Sequence, residues 1–181
     1  MARYEGMWAV AGGWAVDLFL GRETRAHADL DIAVLRSEQT RLRRLLNGAD
    51  VRKAQRGATT PWMPDEWLAL PTHEIHATWP GGESMEFLLN DVAPETNAWV
   101  FRRAPAVRRP LDLVIRTAEG VPYLSPEIVL LYKAKRPQPK DDADLAAALP
   151  HIDVEPRSWL ASAIETAHGD HRWLTTINRS S

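Results

Sequence analysis

Apolar positions recur along the chain with two periods, and their switches mark the elements. Met7 to Ala11 is a short apolar run that stops at Gly12-Gly13, the pattern of a buried strand ending in a glycine turn. Trp14, Ala15, Leu18 and Phe19 then recur at helical spacing, so a helix runs from Trp14 to Leu20, with Gly21 as its C-cap. A polar loop, Arg22 to His27, leads through Asp29 into a strand over Leu30–Leu35. Gln39 to Leu46 reads as a helix stopped by Asn47-Gly48, and Val51 to Ala54 as a short strand. Residues 55–71 read as irregular, broken by Pro61, Pro64 and Pro71. Alternation returns in Thr72–Trp79 and Ser84–Leu89, and the Pro80-Gly81-Gly82 turn between them predicts a hairpin.

Trp99–Arg103 and Leu113–Thr117 are further strand candidates, the first rimmed by Arg102, Arg103, Arg108 and Arg109, which read as solvated. Ser125-Pro126-Glu127 starts a helix with a capping Ser, Pro at the first helical position and an acid in the first turn. That helix ends at Lys135-Arg136, and two more follow over Lys140–Leu149 and Arg157–His168. Strands with interspersed helices, then helices alone, predict an α+β fold: a domain over residues 1–120 with a helical segment, 121–181, packed on it.

Composition narrows the function classes. With 45% apolar and 25% charged residues the 181-residue chain has an ordinary globular balance. A net charge of -2 argues against nucleic-acid binding by blanket phosphate neutralisation. The absence of cysteine removes disulfides, thiolate metal sites and Cys nucleophiles, and agrees with a cytoplasmic location. No apolar stretch approaches the roughly 20 residues of a membrane span, and Asp17 interrupts the apolar opening before it can serve as a signal peptide.

The chemistry concentrates in Ala11-Gly12-Gly13-Trp14 and His27-Ala28-Asp29-Leu30-Asp31-Ile32. Residues two apart on a strand face the same side, so Asp29 and Asp31 project together. Adjacent like charges repel unless a cation lies between them, and carboxylate oxygens suit Mg²⁺. The glycine pair opens a helix N-terminus, whose free N–H groups and dipole favour phosphate. Together these suggest nucleoside triphosphate chemistry. Asp17 reads as a structural hydrogen-bond acceptor, and His27 as a group that orients Asp29, touches phosphate or caps its turn. His73 and His76, three apart on a strand, face opposite sides and do not share a metal. Asp141, Asp142 and Asp144 read as first-turn acids that complement a helix dipole. Of the eight tryptophans, Trp62, Trp67 and Trp99 are either packing residues or walls of an acceptor pocket.

Gly-Gly, a helix and Asp-x-Asp on a strand resemble the nucleotidyltransferase superfamily of DNA polymerase β. The longer string Ala11-Gly12-Gly13-Trp14-Ala15-Val16-Asp17, Gly21-Arg22, Thr24-Arg25, His27, Asp29-Leu30-Asp31 is similar to aminoglycoside nucleotidyltransferases of the 2''-O-adenylyltransferase type. Tyr123 to Ile128, Lys133, Lys135 and Lys140-Asp141 resemble that group's helical tail. The resemblance implies a polymerase β-like mixed sheet flanked by helices, and transfer of AMP from ATP to a hydroxyl of a small acceptor, with release of pyrophosphate. Aminoglycosides lead as acceptor, because polycations suit a cleft lined with carboxylates. By this resemblance Asp29 and Asp31 hold Mg²⁺, Gly12 and Gly13 contact phosphates, and Glu86 is the third carboxylate, a metal ligand or the base. Arg22, Arg25, Lys133, Lys135 and Lys140 are its candidate triphosphate partners. A protein acceptor, and a nucleotide-binding relative without turnover, are the alternatives.

Overall fold

The computed structural model describes Met1, residues 4–55 and residues 57–179. Its strands are β1 (Trp8–Val10), β2 (Asp31–Leu35), β3 (Asp50–Gln55), β4 (Ala58–Pro61), β5 (Glu74–Thr78), β6 (Ser84–Ala93), β7 (Ala98–Val100), β8 (Arg108–Pro110), β9 (Ile115–Ala118) and β10 (Val121–Leu124). The α-helices are α1 (Gly12–Leu20), α2 (Gln39–Leu45), α3 (Pro126–Lys133), α4 (Pro139–Ala148), α5 (Val154–His168) and α6 (Arg172–Arg179). The strands form a mixed sheet in the order β4-β3-β5-β6-β2-β1-β10-β9, with β7 joining β6 to β8. This is the expected α+β architecture.

Packing explains the order. In β2 the consecutive residues Ile32, Ala33 and Val34 are all buried, so both faces of the sheet are covered there. From Pro126 to Leu131 every residue of α3 is buried, and the helix packs between α1 and α5. Gly21 adopts φ 65° and ends α1 as a left-handed C-cap, donating to backbone carbonyls of the last turn.

Several elements differ from expectation. Residues 58–61, read as irregular, form edge strand β4 against β3. All four are exposed, so no alternation marks them, and Pro61 sits at the strand end where a missing donor is tolerated. The chain also forms β10, which pairs with both β1 and β9, so the sheet continues to Leu124. Ser125 does not cap α3: its hydroxyl donates to the Leu113 carbonyl at 2.7 Å. Arg109, read as solvated rim, is 3% exposed, with its guanidinium 2.9 Å from both Glu127 and Glu155. Among the described residues no helix is long and apolar enough to cross a membrane.

Candidate active site

Strands β2 and β6 run parallel in a register that sets Asp31 opposite Glu86. Partners in a ladder share a face, so the two carboxylates, far apart in sequence, stand side by side. Asp29 precedes β2 in exposed backbone and adds its charge to both. The Asp31 backbone carbonyl accepts from Ala11 N–H at 2.8 Å, which anchors the start of α1 to this strand. Gly12 then lies under the Asp31 carboxylate at φ 61°; a Cβ there would overlap the carboxylate oxygen. At Gly13 a Cβ would strike the His27 ring and the Arg25 guanidinium. Gly12 is therefore favoured by its positive φ as well as by close approach, and Gly13 by close approach alone.

Burial pushes the Asp31 carboxyl above its ordinary range, against the lowering effect of a hydrogen bond with Glu86. Glu86 is raised by burial and then by the charge of Asp31. Charge is thus held in a half-buried place at a cost, which a bound cation would relieve.

A cavity of about 210 Å³ opens beside this pair, with Gly12 and Asp31 at one wall and Arg102, Arg103, Tyr132 and Lys133 at the others. Arg102 stacks on the Tyr132 ring at 4.5 Å, and Arg103 donates to the Tyr132 carbonyl at 2.9 Å. Asn90 holds the Tyr132 hydroxyl from β6, accepting from it at 3.2 Å and from Trp99 Nε1 at 2.9 Å. Burial, with Arg102 alongside, lowers the Arg103 pKa. Neither arginine figured among the sequence candidates; the only signal was an Arg-Arg pair one residue past the end of β7, the strand paired with β6.

The candidate cations divide. Lys133 lines the cavity and donates to Asp141 and Asp144, each at 2.9 Å. Arg25 forms a two-pronged pair with Asp144 at 3.0 and 3.1 Å, beside Gly13. Asp141 and Asp144 are therefore more than dipole partners: Asp144 is 1% exposed and clamps both cations from α4. Arg22 lies at the opposite end of α1 from Gly12, in a separate hollow with Trp14 and Glu119. Lys135 and Lys140 are exposed and line no part of the Asp31 cavity.

Asp17 acts as the expected structural acceptor. It takes bonds from the Thr24 hydroxyl (2.5 Å) and backbone N–H (3.1 Å) and from His27 Nε2 (2.5 Å), folding the 22–27 loop back over α1. Trp14 packs at a tilt against the same His27 ring, with ring centroids 4.7 Å apart. Trp62 and Trp99 are buried, while exposed Trp67 lines a different hollow. His73 precedes β5 and its Nδ1 bonds the Pro71 carbonyl at 2.7 Å. His76 instead joins Glu74 and Glu86 on one sheet face, their donor atoms within 4.8 Å of one another.

A glycine-opened helix beside facing carboxylates on a mixed sheet is the arrangement expected of a nucleotidyltransferase. The chain belongs to the aminoglycoside-2''-adenylyltransferase family, whose model matches residues 1–146. The structure is similar to the antibiotic-resistance factor ANT(2'')-Ia in solution, at TM-score 0.57 and 20% identity, over 96% of this chain and 87% of that one. It is also similar to ANT(2'')-Ia in complex with adenylyl-2''-tobramycin, at TM-score 0.52 and 20% identity, over 86% of each chain. Lincomycin-bound lincosamide antibiotic adenylyltransferase LnuA follows at TM-score 0.54 and 17% identity, covering 78% of this chain and 84% of that one. At these identities the structural likeness shows the fold. No curated protein sequence matches the chain.

Proposed function

We propose that this protein transfers AMP from ATP to a hydroxyl of a small antibiotic, with an aminoglycoside as the first acceptor to test. The reading rests above all on the Asp31–Glu86 register partnership beside Gly12. It is supported by the family membership and by ANT(2'')-Ia, whose complex contains an adenylylated tobramycin.

The chemistry fits Mg²⁺: Asp29 and Asp31 offer oxygen donors alone, beside Glu86, with burial and mutual repulsion that a divalent cation offsets. When bound, the ion neutralises charge developing on the phosphate oxygens and the leaving pyrophosphate. The chain's own groups do the rest. The N–H groups at Gly12 and Gly13 open α1 without a side-chain cap and present donors to phosphate. Lys133, Arg102 and Arg103 add positive charge along the cavity, with Arg25 beside Gly13. Arg22, Lys135 and Lys140 lie outside this group.

Glu86, set opposite Asp31 by the register of β2 and β6, accepts the proton of the attacking hydroxyl. The hydroxyl oxygen bonds the α-phosphorus as the bond to the bridging oxygen breaks and pyrophosphate departs. Acids at Asp29 and Glu86 favour a cationic acceptor over an anionic one.

The test is pyrophosphate release from ATP and Mg²⁺ over a panel of aminoglycosides and lincosamides, with mass spectrometry of the acceptor. Acceptor-dependent release, lowered about 10²–10³-fold in Asp31→Asn, is expected. Equal release by wild type and variant, or none with any acceptor, would overturn the reading.

A further inference from the structure

We propose that Glu74, His76 and Glu86 form a second divalent-metal site, selective for Zn²⁺-like ions, whose occupation withdraws Glu86 from the reaction. The site stands on geometry alone; its inhibitory consequence rests on the function proposed above.

The β5–β6 hairpin builds it. Glu74 and His76 are two apart on β5 and therefore share a face, and the register sets His76 directly opposite Glu86. The imidazole Nε2 lies 2.7 Å from a Glu74 oxygen, and all three donor atoms fall within 4.8 Å of one another. Ligands about 2.0–2.1 Å from a tetrahedral zinc are about 3.3 Å apart, so small side-chain shifts open the group around an ion. Three protein ligands with the fourth position open is a usual arrangement for zinc held in an accessible site. Glu74 and His76 each retain about a third of their side-chain exposure (34%), which gives an ion a path from solvent. Arg52, the partner of His76 on its other side, donates to the Thr59 carbonyl at 3.2 Å and lies 3.9 Å from Asp50. Its charge is thus directed toward β4 and Asp50.

Donor chemistry separates this site from the Asp29–Asp31–Glu86 group. Mg²⁺ prefers oxygen alone, whereas an imidazole beside two carboxylates suits Zn²⁺, Co²⁺ or Ni²⁺. The two groups share Glu86, so an ion held through His76 and Glu74 occupies the carboxylate that must take the hydroxyl proton. A nitrogen-preferring metal and turnover then compete for one side chain.

The experiment uses untagged full-length protein titrated with ZnCl2 in a calorimeter at saturating MgCl2, with the visible spectrum of bound Co²⁺ as a second readout. One zinc per chain is expected in wild type and in Asp29→Asn/Asp31→Asn, with affinity reduced at least tenfold in His76→Gln and in Glu74→Gln. Zinc should inhibit acceptor-dependent pyrophosphate release by wild type, while His76→Gln, with unchanged thermal midpoint and zinc-free turnover, resists it. Absence of zinc binding, or binding that His76→Gln leaves intact, would overturn the site. Binding lost in His76→Gln, in a protein without turnover on any acceptor, would uphold the site and overturn the functional reading instead.

Discussion

Asp31 and Glu86 are direct register partners on parallel strands, and each carboxyl is held above its ordinary pKa by burial and by its acidic surroundings. A carboxyl whose folded pKa exceeds its unfolded value costs stability as pH rises from the unfolded to the folded pKa, and the cost persists at neutrality. Neutralising either group should therefore stabilise the metal-free fold while removing turnover. Asp31→Asn is expected to raise the thermal midpoint without divalent ions by a few degrees, about 2–4 °C for each kcal/mol relieved at this length. Turnover should fall about 10²–10³-fold. MgCl2 should raise the wild-type midpoint and leave that of the variant unchanged. Thermal scans with and without magnesium, run beside the pyrophosphate assay, check all three; a lowered metal-free midpoint would contradict the electrostatic account.

Gly12 should admit no side chain. Its φ of 61° costs an L-residue about 1–2 kcal/mol, and a Cβ there overlaps the Asp31 carboxylate. The carboxylate must move, and a displacement near 1 Å in a reacting group costs about 100-fold in rate. Gly12→Ala is expected to stay folded by circular dichroism and to lose turnover on that scale. Gly21→Ala has the same positive φ with open space around it, and should lower stability while sparing turnover.

What could be read from the chain, and what could not, follows from where each signal lies. The Gly-Gly turn, β2 and the β5–β6 hairpin carry local marks, namely a glycine break and period-two alternation over half-buried strands. That is why Asp29 and Asp31 stood out, whereas Glu86 was singled out by the family resemblance. The parallel pairing of β2 with β6 has no local mark, so alternation could give Glu86 a polar face and no neighbour. Strand β4 buries no residue, so no alternation marks it. Asp144 and Arg109 read as surface charges because their burial is made by partners distant in sequence, Arg25 and Glu127.

Asp144 should mark an acid-sensitive joint between α4 and the site. Burial raises its pKa, but hydrogen bonds from Arg25 and Lys133 outweigh burial and leave it below the ordinary range. A depressed folded pKa supplies stability above the unfolded pKa that is lost as pH falls through the folded one. Unfolding by denaturant should therefore show a fall in wild-type stability below about pH 4, the usual carboxylate range. In Asp144→Asn that limb should be shallower, and stability at neutral pH lower. An identical acid limb in both proteins would remove Asp144 from this role.

Arg109 should be costly to remove alone and tolerable to remove with its partner. Its guanidinium, 3% exposed, lies 2.9 Å from Glu127 in the first turn of α3, while Glu155 meets it from the solvent side. Burial raises the Glu127 carboxyl despite the opposing effect of Arg109 and Arg116, so desolvation outweighs the pairing. Deleting one partner of a buried pair leaves an uncompensated charge and costs about 3–5 kcal/mol, whereas replacing both with apolar groups of similar volume is often neutral. Arg109→Met should lose about that much, and Arg109→Met/Glu127→Leu should recover most of it, a positive coupling measured by a double-mutant cycle in urea. Additive losses in the double variant would mean that Arg109 stabilises chiefly through Glu155 and its stacking on Trp159 at 4.8 Å.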